Sequence, residues 1–153
     1  MSRIEKRKGR SKVWIIILII VAVIVVGSVG GILVDAPGRR EIGELSFTSI
    51  DLKNLRNGTY IGEYKGTKSH FRDTKVEVII SKGDISNIKI LKGAVDKEGK
   101  PVILKGGQSM ENVFDNVIKF QTLQVDVISG ATLTSKTHLK ALENALEQAQ
   151  RFD

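Results

Sequence analysis

Between Val125 and Ser135 the chain reads Val-Asp-Val-Ile-Ser-Gly-Ala-Thr-Leu-Thr-Ser, with small residues and hydroxyls gathered ahead of a helical pattern. Glycine and alanine let backbone N–H groups approach a ligand closely, and a helix that starts here turns its positive end toward it. An anion is the natural guest. A phosphate ester would meet unpaired N–H donors and gain about 0.3 to 1 kcal/mol from the helix dipole when exposed. The same residue types are also ordinary helix caps, so Thr134 or Ser135 as a simple N-cap stays open on this evidence. Asp126 has two readings as well, a turn residue that ends a strand or part of a recognition element.

The elements needed to hold that segment are legible around it. Gly58 to Tyr64 has the β-branched and aromatic content of a strand. Lys75 to Ser81 alternates, with Val76, Val78 and Ile80 on one side; Lys82-Gly83-Asp84 turns, and Ile85 to Leu91 returns with Ile88 and Ile90 on one face, which predicts a hairpin. A polar loop from Gly93 to Lys105 follows. Met110, Val113, Phe114, Val117 and Ile118 then fall on one helical face behind Ser109, a suitable N-cap. A last helix, about Thr134 to Gln150, places Leu139, Leu142, Ala145, Leu146 and Ala149 on one stripe. Strands first and helices afterwards predict an α+β domain, a small antiparallel sheet covered by helices.

Length and charge bound what such a domain can be. The chain has 153 residues and a net charge of +7, but residues 1–12 carry six bases and one acid, which leaves only +2 for the other 141. The basic character belongs to a tip, so no nucleic-acid-binding face is expected. Absence of cysteine excludes disulfides, thiolate metal sites and iron–sulfur clusters, and two histidines are too few for a histidine-rich metal centre. From Val13 to Val34 no residue is charged. A helix of that length spans roughly 30 Å, the thickness of a bilayer's hydrocarbon core. The bases precede the run and the segment Asp35, Arg39, Arg40, Glu41, Glu44 nets −1, which predicts a cytoplasmic N-terminus and an extracytoplasmic remainder. Cleavage near Ser28 and Gly30 is the competing reading, against which the run exceeds the usual h-region of about 7 to 15 residues. The expected organisation is thus a basic cytoplasmic tip (1–12), a single-pass transmembrane anchor (13–34), a linker (35–56) with one short ordered piece around Ile42 to Leu55, and a domain (57–153).

Asp126-x-x-Ser129-Gly130-Ala131-Thr132 resembles the flavinylation motif of the FMN-binding domain family, found in flavin-bearing subunits of the sodium-translocating NADH:quinone oxidoreductase and of the Rnf complex. The Asn-Gly-Thr-Tyr opening, the Val/Ile-rich hairpin and the helix closing behind the motif are similar too, over roughly Asn57 to Gln150. The resemblance implies FMN joined through its phosphate to the Thr132 hydroxyl by a flavin transferase, with Asp126, Ser129, Gly130 and Ala131 as recognition and positioning elements. It implies an electron carrier in the cell membrane, served by membrane or extracytoplasmic redox partners, rather than an independent enzyme. No Gly-x-Gly-x-x-Gly motif offers a nicotinamide site. A membrane-anchored module that binds free flavin or another anion without redox work is the alternative. Other residues are expected to play ordinary parts: Tyr60 and Tyr64 as core or cross-strand partners, His70 as a solvated loop residue, His138 on the surface, and Lys100 and Lys105 solvating their loop.

Overall fold

The computed structural model describes residues 5–48, 50, 52 and 55–150, and the side chains of 5–11 and 29–34 lie outside the description. Its elements are α1 (Glu5–Gly43), β1 (Gly58–Tyr64), β2 (Thr74–Ser81), β3 (Asp84–Lys92), a short 3-10 turn (Lys105–Gly107), α2 (Met110–Phe120) and α3 (Thr132–Ala149). The chain divides into two compact units, one ending at Pro37 and one beginning at Gly38.

The first unit is helical, and from Val13 to Val26 it has no polar face: every large apolar side chain there is roughly half or more exposed, from 47% at Ile17 to 72% at Val26. Among the described residues no helix is long and apolar enough to cross a membrane. Of the predicted span, Val13 to Val34, the side chains of 29–34 lie outside the description.

The second unit is α+β. Its three strands form an antiparallel sheet in the order β1-β2-β3. Strand β2 alternates as its sequence predicts, burying Thr74, Val76, Val78 and Ile80 and turning Lys75, Glu77 and Ile79 outward. Lys82 (φ 58°) and Gly83 (φ 87°) make the two-residue turn of the hairpin, both left-handed as a type I′ turn requires. In β3 the buried residues are Ile85, Ile88 and Ile90, a spacing that a strict alternation forbids. A bulge reconciles it: Asn87 pairs with Ile79 but Ile85 with Ile80, and the hydroxyl of the extra residue, Ser86, donates to the Ile79 carbonyl at 2.9 Å.

Both C-terminal helices cover one face of this sheet. Met110, Val113, Phe114 and Val117 of α2 and Leu139, Leu142, Ala145, Leu146 and Ala149 of α3 are buried against the strands, as their periodicity predicts. The Ser109 backbone N–H donates to Asn112 Oδ1 (2.8 Å) at the start of α2. Its end is set by Gln121, whose left-handed backbone (φ 47°) is compensated by side-chain bonds to both the N–H and the carbonyl of Ile85 (2.9 Å each).

Helix α3 runs along the edge strand β1. Asn144 Nδ2 and Gln148 Nε2 donate to the Glu63 and Ile61 carbonyls (2.8 and 2.9 Å), occupying edge groups that would otherwise invite another strand. The segment read as a linker contributes to the core: Ile42, Leu52 and Leu55 are 1 to 6% exposed. Glu143, fully buried on α3, accepts the Thr48 N–H and pairs with Lys140.

Candidate functional site

The segment leading into α3 is irregular rather than the strand expected before the motif. With β3 closing the sheet, Leu123 and Val125 pack half-buried on the core, and Val125 N–H bonds back to the Leu123 carbonyl (3.0 Å) in a tight local turn that has no strand to pair with. Asp126 therefore ends no strand; it is exposed in this irregular stretch.

Ile128-Ser129-Gly130-Ala131 forms a turn closed by Ala131 N–H to the Ile128 carbonyl (2.9 Å), with Gly130 at φ 76° in its third position, as a type II turn needs. Two anchors hold that turn. Ile128 is 3% exposed in the core, and Ser135, fully buried, accepts the Ile128 N–H (3.2 Å) and donates to the Ala131 carbonyl (3.1 Å). The stem of Lys105 lies over the turn, since a Cβ added at Gly130 would come within 2.3 Å of Lys105 Cδ. Lys105 thus packs on the motif rather than only solvating its loop. Ser135→Ala removes the acceptor of a buried N–H and is expected to lower stability by about 1–2 kcal/mol in chemical denaturation.

Helix α3 begins at Thr132, earlier than the periodicity suggests, and its N-cap, Ala131, supplies no side-chain bond. The simple-cap reading of Thr134 or Ser135 is overturned: Ser135 ties the preceding turn, and Thr134 lies inside the helix, its carbonyl taken by His138 and Thr137. The first-turn N–H groups of Thr132, Leu133 and Thr134 have no intrahelical acceptor. Thr132, Ser129 and Gly130 are exposed and Ala131 half-buried, so four of the five candidate residues are contiguous; Asp126 stands apart in the preceding stretch. A cavity of about 340 Å³ opens on Gly130 to Thr134 and is lined also by Arg39 and Arg72. Its lining combines the first-turn backbone of α3, Thr132, Thr134 and two arginines, a set rich in donors and positive charge that suits a phosphate.

A second cavity, about 240 Å³, shares Arg72 and Thr134 with the first and is lined also by Phe71, Gly93, Ala94, Val102, Leu104 and His138. Asp73, Thr74 and Thr137 line it too, so apolar side chains and polar groups share its wall, a mixture that a flat heteroaromatic ring can use. His138, expected on the surface, is 1% exposed. It falls on the same stripe as Ser135, Leu139 and Leu142, and its polarity disguises that. Its Nδ1–H donates to the Thr134 carbonyl (2.7 Å) and its Nε2 accepts the Ala94 N–H (3.0 Å), an arrangement that needs neutral imidazole. Gly93, at φ 126°, leaves room for the ring: a Cβ there would sit 2.6 Å from Nε2.

Burial pushes the His138 pKa down from 6.5 to about 4. The unfolded chain takes up a proton near pH 6.5 while the folded protein resists until about 4. Stability from this group is therefore complete above the upper value, falls as pH drops through the interval, and is exhausted below the lower one. At about 1.4 kcal/mol per pH unit the loss is on the order of 3 kcal/mol. Denaturation midpoints between pH 7 and pH 4.5 should fall in the wild type and change much less in His138→Gln, because carboxylates titrate mostly below that window.

The family model of the FMN-binding domain matches residues 71–147, just over half of the chain, from the residue before Arg72 to the last turn of α3. The chain belongs to the FMN-binding domain family. Its ligand class is accordingly the flavin FMN, and the match contains both the Ser129–Thr132 motif and His138. A crystal structure of a protein from Clostridium perfringens is similar at 21% identity, over 62% of this chain and 88% of that one, with a TM-score of 0.42. No curated protein matches the chain. The residues that the sequence left out of the site are Arg39, Arg72 and His138; the first two carry no periodic signal, and only the fold brings them to the motif.

Proposed function

We propose that this FMN-binding domain is an extracytoplasmic electron carrier, held to the cell membrane by residues 13–34, with FMN esterified to Thr132. The observation that carries the reading is an exposed hydroxyl on the first residue of α3, beside N–H groups without intrahelical acceptors and in one cavity with Arg39 and Arg72. Such a surround stabilises the single negative charge of a phosphodiester. The adjacent cavity, which shares Arg72 and Thr134 with the first and is lined by Phe71 and His138, offers the ring a place near the same turn.

Attachment balances with FAD as donor. Thr132 Oγ bonds to the flavin-side phosphorus, the P–O bond of the pyrophosphate breaks, AMP leaves, and the hydroxyl proton passes to the transferase. Thr132 needs no activating base of its own, because a dedicated transferase supplies that chemistry. Bound FMN supplies one- and two-electron chemistry, and the protein's part is to orient it and exclude water. Outside the cytoplasm a diffusible cofactor would be diluted away, whereas an ester fixes its local concentration. The uncharged run Val13 to Val34, behind six bases, supports the anchor and its orientation.

Intact-mass analysis of protein from its native membrane tests this. The mass should rise by one flavin mononucleotide less one water, with the increment on the Thr132 peptide and yellow colour that survives denaturation. Colour that washes away would assign a module that only binds free flavin.

A further inference from the structure

We propose that Arg39, in the segment immediately after the apolar run, is a ligand of the cofactor's phosphodiester, so that this segment completes a site otherwise built by residues 71–147. The inference rests on the Thr132 ester. Arg39 lies outside the family match and only five residues beyond Val34.

Four contacts fix the chain around it. Gly38 is buried against Ser69, where a Cβ would come within 2.4 Å of the Ser69 Cβ. Glu41 accepts the N–H groups of Thr67 (2.8 Å) and Lys68 (2.9 Å), and these bonds hold its carboxyl below the usual carboxylate range. Ile42 is 2% exposed in the core, and Lys136 of α3 donates to the Gly43 carbonyl (2.6 Å). Position 39 is therefore set by packing on both sides of it, and Arg39 is among the residues lining the cavity that opens on Thr132.

The chemistry fits one ligand. A phosphodiester carries one charge on two non-bridging oxygens, and a guanidinium offers parallel N–H donors in matching geometry. Arg72 supplies a second guanidinium from the start of the matched region. Arg40 carries the same charge one residue away and does not line the cavity. That pair separates contact with the phosphate from mere proximity of positive charge, because of the two only Arg39 lines the cavity.

The test uses the full chain in membranes, co-expressed with the flavin transferase of its own host, comparing wild type, Arg39→Gln, Arg39→Lys and Arg40→Gln. Flavin incorporation is followed by intact mass, and the phosphorus NMR resonance of each modified protein is recorded after modification is driven to completion. Arg39→Gln is expected to slow incorporation about tenfold, as loss of one charge-assisted hydrogen bond implies, and to shift the phosphorus resonance. Arg39→Lys should restore part of the rate, and Arg40→Gln should leave both readouts at wild-type values. A phosphorus resonance in Arg39→Gln that coincides with that of Arg40→Gln overturns the proposal, whatever the rates do. Unmodified wild type, or flavin on a residue other than Thr132, defeats the ester itself and is distinguished by the same mass data.

Discussion

Thr132→Val is expected to leave no covalent flavin while the domain folds as before. Valine keeps the β-branched shape and removes only the oxygen. Thr132 is exposed at the first position of α3, and no side chain caps that helix, so the substitution breaks no native hydrogen bond of the turn. The stability change should stay within about 0.5 kcal/mol, as for other exposed positions. Thr132→Ser retains the hydroxyl and should be modified. Flavin fluorescence of denatured protein, read beside the thermal midpoint, gives both quantities from one preparation. Full flavin stoichiometry in the valine variant would move the attachment elsewhere.

What made the Val125–Ser135 segment visible in the sequence was local, a run of small residues, hydroxyls and the onset of an amphipathic period, and the motif resemblance singled out Thr132 within it. The same kind of signal disclosed the β2–β3 hairpin through Lys82-Gly83, α2 through Ser109 and its stripe, and the α3 stripe from Leu139 to Ala149. Features that depend on distant chain segments stayed hidden. Val125, Val127 and Ile128 have strand-like composition, but they pair with no strand and run irregularly, with Ile128 buried and Val127 exposed. Ile42, Leu52 and Leu55 are buried from a stretch with no period to reveal them. His138 is placed by its helical phase, yet its burial requires Gly93 opposite and the Ala94 N–H as partner, and both come from 44 or more residues earlier in the chain. Arg39 reaches the motif across more than 90 residues of sequence, and no composition rule anticipates such a meeting. Local propensity thus finds the turn, while tertiary packing decides what faces it.

Gly62→Ala should be the most damaging small change in the domain. In β1 this glycine faces α3, and a Cβ at its position would lie 2.0 Å from the Ala141 carbonyl oxygen, 2.5 Å from the Ala145 nitrogen and 2.9 Å from the Ala145 Cβ. Two of those atoms are backbone, so no rotamer change relieves the clash; the whole helix would have to lift from the edge strand. Lifting it stretches the Asn144 and Gln148 bonds to β1 and opens the seam beside Ala141, Ala145 and Ala149, each fully buried. Overpacking of a closed core costs about 1–3 kcal/mol, and a rigid backbone obstacle places this case at or beyond the upper end. Ala145→Gly should not rescue it, because the carbonyl of Ala141 and the nitrogen of residue 145 stay where they are. Gly43→Ala is the matched control: nothing lies within 4 Å of its added Cβ, and its denaturation midpoint should equal or slightly exceed that of the wild type. An unchanged midpoint in Gly62→Ala would mean that α3 does not approach β1 this closely. Because α3 also carries Thr132 at its first turn, the same variant should incorporate flavin poorly even below its unfolding temperature, which links the tightest contact in the fold to the chemistry at the helix's other end.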